Sequence, residues 1–214
     1  MRVLDLFSGL GGWSSAFIAA GDQVVTVDIE SKFKPTFVRD ILQVDDLADF
    51  ETSGRFDLVL ASPPCNCFSI ASVYRHWRNG VPADNATREA IRLVKHTTAL
   101  ISEYCPDWHV LENPRGMMRK ILGKPDYEIA QCRYGAKIMK PTDLWGRLPP
   151  AFAPQKCKNG NADHERASRS AKSGLQGINN SLNLLSGSSP LRAKIPFGLS
   201  AAVRASILLF SKRK

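Results

Sequence analysis

RVLDLFSGLGG, residues 2–12, decides how the chain folds. Residues 2–7 read as a short buried strand that stops at Ser8-Gly9-Leu10-Gly11-Gly12. Glycines there let the backbone turn tightly and approach a ligand closely. Residues 13–20 (WSSAFIAA) read as a helix that ends at Gly21. Working outward, residues 23–27 (QVVTV) form a second strand, followed at once by Asp28. Residues 56–61 (FDLVLA) form another strand, broken by Pro63-Pro64. Residues 85–103 read as a helix, with Ile91, Val94, Thr98 and Ile101 on one face. A further short strand ends at Val110-Leu111. Strands alternating with helices predict an α/β fold with a mostly parallel sheet. Ligands of such sheets sit at the carboxyl ends of the strands.

Asp28 lies nineteen residues after Gly9, where a carboxylate can accept hydrogen bonds from both hydroxyls of a ribose. Asp40 is placed to follow a third strand and meet an adenine amino group. The dinucleotide fingerprint is not completed, because Ser14 stands where its third glycine belongs. That disfavours NAD and FAD and leaves S-adenosylmethionine, which has no pyrophosphate to cradle.

Ser62-Pro63-Pro64-Cys65-Asn66-Cys67 follows the strand at 56–61. The prolines stiffen the loop and fix where Cys65 points, and a thiolate there would face the ligand crevice as a nucleophile. Glu112, after the strand ending at Leu111, would face the same crevice. A zinc centre built from Cys65, Cys67, Cys157 and His164 does not have the spacing of such sites, and no metal is expected.

The chain has 214 residues, enough for one domain or one domain with a small appendage. Hydrophobic content of 43% and charged content of 23% exclude global disorder and a fibrous repeat. Twenty-nine Lys and Arg against twenty Asp and Glu leave a charge of +9, which favours a polyanionic partner, most often nucleic acid. No run of eighteen apolar residues is present and the amino terminus does not read as a signal peptide, so no membrane association is expected. Five cysteines, irregularly spaced, fit a reduced, cytoplasmic setting. Residues 155–194 are rich in Ser, Asn, Gly, Lys and Arg and read as a solvated, partly flexible loop. From residue 195 the sequence regains order, with Ser200 a candidate cap for a last helix that packs on the core. Three parts are expected: 1–149 catalytic, 150–194 a short basic recognition segment, and 195–214 the returning helix.

The ordered combination of residues resembles the DNA (cytosine-5)-methyltransferase family. Asp5-Leu6-Phe7-Ser8-Gly9-Leu10-Gly11-Gly12 is similar to its first motif, the S-adenosylmethionine turn. Asp28-Ile29 resembles the ribose and adenine contacts, Asp40-Ile41 the adenine-binding pair, and Pro64-Cys65-Asn66 with Phe68-Ser69 the catalytic loop. Glu112-Asn113 is similar to the pair that grips the target base, and Gln131-Cys132-Arg133 to the family's Gln-x-Arg. Asn66 replaces the usual Gln, Pro114 the usual Val, and Gly135 stands at the second arginine of the eighth motif. Arg133-Tyr134-Gly135, Lys140-Pro141-Thr142 and Trp145-Gly146 resemble a compact variant seen in phage and related elements.

The resemblance implies a Rossmann-like S-adenosylmethionine-dependent methyltransferase fold with a small C-terminal recognition region. It assigns Phe7, Gly9, Leu10, Gly12, Asp28, Ile29, Asp40, Ile41 and Pro64 to the cofactor, and Cys65, Glu112 and Arg133 to catalysis. Cys65 would add to the ring of a flipped-out cytosine while Glu112 holds the ring nitrogen and exocyclic amine. Double-stranded DNA is the expected partner, through phosphate contacts from Lys156, Lys158, Arg166, Arg169, Lys172, Arg192 and Lys194. A transfer RNA substrate and a catalytically idle DNA-binding relative remain alternatives. Neither a restriction endonuclease partner nor an oligomeric state is specified by the sequence.

Overall fold

A computed structural model of the chain describes residues 1–158, 160–161, 164 and 194–212. Its elements run β1 (Arg2–Leu6), α1 (Ser15–Ala19), β2 (Gln23–Asp28), β3 (Phe37–Val38), β4 (Leu58–Ala61), α2 (Val73–His76), β5 (Trp77–Arg78), β6 (Val81–Pro82), α3 (Asn85–Tyr104), β7 (Trp108–Pro114), α4 (Arg119–Leu122), β8 (Tyr127–Ala130), β9 (Pro141–Arg147) and α5 (Phe197–Ser211). One sheet has seven strands in the order β3-β2-β1-β4-β7-β9-β8, while β5 and β6 form a separate ribbon. From β3 to β7 every pairing is parallel; β9 alone runs against its neighbours β7 and β8. The expected α/β architecture with a mostly parallel sheet is therefore present.

Strand register places the site. Leu6 pairs with Val27 on one side and with Ala61 on the other, and Ala61 pairs with Leu111. The residues that follow these four, Phe7, Asp28, Ser62 and Glu112, therefore stand in one row along the carboxyl edge. The sequence reading ended the last of these strands at Leu111. The parallel ladder does end there, but the backbone stays extended to Pro114 because β9 arrives antiparallel and pairs Glu112 with Leu144 and Asn113 with Asp143.

The strand expected at 56–61 starts at Leu58, and the first and last helices differ as well. The first helix covers Ser15–Ala19 rather than 13–20, because Trp13 and Ser14 are drawn into the turn. The Trp13 indole donates to Ser62 Oγ at 2.8 Å and the Ser14 hydroxyl to Asp5 Oδ2 at 2.5 Å. The last helix starts at Phe197 after Pro196, so Ser200 is not its cap. Ser200 is instead buried inside the first turn, donating to the Trp13 carbonyl and accepting from the Ala16 amide at 3.2 Å.

Apolar clusters cover both faces of the sheet. On one, Val94, Leu100, Ile101 and Tyr104 of α3 meet Leu4, Leu6, Val59 and Ala61. Asp84 starts α3 by accepting the Thr87 amide at 2.7 Å, and Cys105, at φ 50°, ends it in the left-handed conformation. On the other face, Leu199, Val203 and Ile207 of α5 meet Val3, Phe17 and Val110. Arg204 anchors α5 to Asp22 at 2.6 Å. Close backbone approach completes the seam: a Cβ on Gly12 would lie 2.5 Å from the Ile195 nitrogen, and one on Gly198 2.5 Å from the Tyr134 carbonyl oxygen. No helix among the described residues is long and apolar enough to cross a membrane.

Candidate active site

The first turn is shaped by backbone conformation. Gly9 and Gly11 have φ of 49° and 65°, and Phe7, a bulky residue, is held at 60°. Asp28 locks the turn from β2: its Oδ2 accepts the Gly9 amide at 2.8 Å and its Oδ1 the Glu30 amide at 2.9 Å. Each carboxylate oxygen keeps a lone pair for a ligand. The buried Asp5 carboxyl is pushed up to about 7, chiefly by desolvation, with the Asp28 charge adding to the rise and the Ser14 bond opposing it.

Apolar side chains border this turn. Leu10, Ile29 and Val38 are exposed, Ile29 by 63%, which is unusual for an isoleucine directly after a buried strand end. Exposed apolar surface beside two carboxylates, Asp28 and Asp40, matches a nucleoside with a flat base and a diol. The residues present thus fit S-adenosylmethionine. Two assigned residues also serve the packing. Ile41 is only 3% exposed and its side chain belongs to the core. Gly12 is required by the Ile195 backbone, which leaves no room for a side chain there. Asp40 is half-buried and caps the following turn through Oδ1, which accepts the Leu42 amide at 3.0 Å.

The Cys65 loop leaves β4 as a tight turn. The Cys65 carbonyl accepts the Phe68 and Ser69 amides, both at 3.0 Å. The Phe68 carbonyl in turn accepts the Met117 amide at 2.7 Å, docking the loop on the segment after β7. Gly116 is obligatory there, because a Cβ would lie 2.1 Å from the Phe68 oxygen. Cys65 is half-buried and Pro64 exposed. The neighbouring Cys67 is buried, its carbonyl accepts the Trp77 indole at 2.6 Å, and burial raises its thiol pKa. Of the two thiols, only Cys65 is accessible enough to react.

Glu112 is 3% exposed, and burial raises its carboxyl pKa against the opposing pull of the Lys140 charge and the Ser62 hydrogen bond. A chain of side chains holds it. The Trp13 indole donates to Ser62, the Ser62 hydroxyl donates to Glu112 Oε2 at 3.0 Å, and the Gln131 amide donates to Oε1 at 3.4 Å. Asn113, expected beside Glu112 at the base, is turned away. Its amide donates to the Pro63 carbonyl at 2.9 Å, fully buried, so it positions the Cys65 loop.

Arg133 lies exposed in the one-turn helix Gln131–Tyr134, whereas Gln131 from the same turn is buried and reaches Glu112. Ser62, Trp13 and Gln131 are site residues to which the sequence assigns no role. Gln131 belongs to the Gln-x-Arg motif, and Ser62 follows the strand that leads to the cysteine. Nothing local marked Trp13.

Of the basic residues expected at DNA, Lys158 and Lys194 are exposed, while Lys156 pairs with Glu128 at 3.1 Å. Arg166, Arg169, Lys172 and Arg192 lie outside the described residues. Cys157 and His164 do not approach Cys65 and Cys67; they stand with Cys132. The cavity of about 320 Å³ lined by Ile101, Cys105, His109 and Arg147 opens at the amino end of β7, opposite the Cys65 edge, so chemistry rather than cavity size marks the site.

Residues 1–131 match the family described as C-5 cytosine-specific DNA methylase. A probable DNA (cytosine-5)-methyltransferase of Frog virus 3 is 30% identical over 165 residues, covering 73% of this chain and 75% of the viral protein. The type II methyltransferase M1.HphI of Haemophilus parahaemolyticus is 29% identical, covering 64% of this chain but only 39% of that enzyme. The solved structure of the Entamoeba histolytica methyltransferase EhMeth shares the fold at a TM-score of 0.50 and 18% identity, over 74% of this chain and 57% of that one.

Proposed function

The chain belongs to the C-5 cytosine-specific DNA methylase family, and from that membership we propose that it methylates carbon 5 of cytosine in double-stranded DNA through a covalent adduct with Cys65. The observation that carries this reading is the carboxyl-edge row: Asp28, the Ser62–Cys65 loop and Glu112 follow register-matched positions on three strands.

S-adenosylmethionine supplies an electrophilic methyl group when bound. Asp28 would hold its ribose, Asp40 the adenine amine, and Leu10 and Ile29 would cover the base. The target base must leave the duplex to reach a buried carboxyl, at a cost of a few kcal/mol. Carbon 5 of cytosine is not nucleophilic by itself. The Cys65 thiolate adds to carbon 6, and the electrons of the 5,6 double bond move to carbon 5. Glu112 in its protonated form donates to ring nitrogen 3 through one oxygen and accepts from the exocyclic amine through the other. Its raised pKa keeps that proton available, and its four-membered network fixes the carboxyl in place before the base arrives. After carbon 5 is methylated, loss of its proton expels Cys65 and restores the double bond. Lys158 and Lys194, both exposed, would contact phosphates and so position the duplex without reading its sequence.

The test is Cys65→Ser. Methyl transfer to cytosine, followed with labelled cofactor, should fall below detection, while the cofactor dissociation constant stays within about twofold because the thiol lies outside the cofactor turn. Methylation by the Ser variant, or loss of activity in Cys67→Ser instead, would remove Cys65 as the nucleophile.

A further inference from the structure

A second cluster of reactive side chains lies outside the catalytic row. Cys132, Cys157 and His164 each offer one donor atom, and all three atoms lie within 4.8 Å of one another. Cys157 Sγ and His164 Nδ1 are 3.5 Å apart. Cys132 is buried, and Cys157 and His164 are half-buried. The five cysteines form no disulfide. We propose that Cys132, Cys157 and His164 bind a borderline-soft divalent cation, Zn²⁺ foremost, that clips the start of the basic segment to the turn carrying Gln131 and Arg133.

The protein brings these donors together by other means. The Ala130 amide donates to the Gln155 carbonyl at 2.9 Å, and the Gln155 amide donates to Tyr134 Oη at 3.0 Å. Those bonds lay residues 153–155 along the end of β8, so that Cys157 returns to Cys132. The chain then folds back, with the Asn161 amide donating to Cys157 Sγ at 3.6 Å and His164 closing the cluster. Tetrahedral zinc, with bonds of about 2.3 Å to sulfur and about 2.0 Å to nitrogen, sets its donors roughly 3.4–3.8 Å apart. The cluster therefore needs a contraction of about 1.4 Å at most.

Two sulfurs and an imidazole select zinc-like ions over Mg²⁺ or Ca²⁺, which prefer oxygen. As each metal–sulfur bond forms, the thiol gives its proton to solvent. Three protein donors leave one tetrahedral position for water. Cys132 adjoins Gln131, which holds Glu112, so the clip would also steady that side of the active site. The assignment does not depend on the methyltransferase reading. Spacing in the sequence misses it, because Cys132 comes from a different element than the pair at 157 and 164.

The test uses the full, reduced chain titrated with Co²⁺ and then Zn²⁺. We expect one equivalent of Co²⁺ per chain, with the intense visible bands of a tetrahedral thiolate site that Zn²⁺ bleaches. Cys157→Ser and His164→Ala should each weaken binding by at least about tenfold, whereas Cys105→Ser, at an exposed thiol away from the cluster, should bind as the parent does. A Cys157→Ser chain that fails to fold leaves His164→Ala to decide. Absence of Co²⁺ bands in the reduced parent, parental binding by His164→Ala, or a Cys132–Cys157 disulfide in the chain isolated without reductant would each overturn the proposal.

Discussion

The carboxyl ends of β1 and β2 and those of β4 and β7 lie along one edge of one sheet, yet they are held by different means. At β1 and β2 the backbone does the shaping: Gly9, Gly11 and Phe7 take left-handed conformations, and the Asp28 carboxylate is tied to main-chain amides. At β4 and β7 the shaping is done by side chains from four separate segments: Trp13, Ser62, Glu112 and Gln131. A turn held by its own backbone presents fixed donors and acceptors to a ligand that does not change charge at those contacts. A carboxyl that must keep a proton needs burial and adjustable hydrogen bonds. The two halves should therefore fail differently, one in affinity and the other in rate and pH dependence.

Glu112→Gln tests that division most severely. The amide can still donate to ring nitrogen 3 and accept from the exocyclic amine, but it has no proton to give as charge builds on the base. We expect kcat to fall by roughly a hundredfold, the scale seen for a removed transition-state contact. The cofactor dissociation constant, measured by calorimetry, should not change. A loss of cofactor affinity equal to the loss of rate would show that the two halves are one unit.

The same division explains what was legible in the sequence. The turn at 8–12, Asp28 and Cys65 could be read because each needs only its own segment: a glycine for a left-handed φ, an acid after a strand, a proline-stiffened loop. Sheet class followed from the alternation of strands and helices. The partners of Gln131 and Asn113 could not be read, because Glu112 and the Pro63 carbonyl are 19 and 50 residues away. Nothing local reveals that Ile195 crosses Gly12. The extension of β7 to Pro114 is equally non-local, since it exists only because β9 pairs there.

Asp28→Ala probes the other half. Removing the carboxylate takes away the ribose acceptor and also the acceptor for the Gly9 amide, so the turn loosens as the ligand contact is lost. One charge-assisted contact is worth about 1.5–3 kcal/mol, which corresponds to a cofactor dissociation constant weaker by about ten- to a hundredfold. At saturating cofactor the alkaline limb of the rate profile should stay where it is, because Glu112 keeps its network. An unchanged dissociation constant would take Asp28 out of the cofactor site; a displaced limb would show that the turn and the carboxyl are coupled.

Ser62→Ala should have the smallest effect and gives the sharpest sign. The Ser62 hydroxyl donates to Glu112 Oε2 and so favours the ionised carboxyl, opposing the burial that favours the protonated one. Without it the Glu112 pKa rises further. The protonated form is the one that can donate to ring nitrogen 3, so the rate falls as pH rises through that pKa. Removing Ser62 should move this alkaline limb to higher pH. It also leaves the Trp13 indole without its acceptor, and one hydrogen bond of about 1 kcal/mol limits the change in rate near neutral pH to about fivefold. Thr in place of Ser62 keeps the hydroxyl and should restore the parental limb. A rate that instead rises with pH through this pKa, on an acid limb that moves to higher pH when Ser62 is removed, would mean that Glu112 works ionised, so that the base is gripped by an acceptor rather than a donor, and that the network around Glu112 exists to remove its proton rather than to keep it.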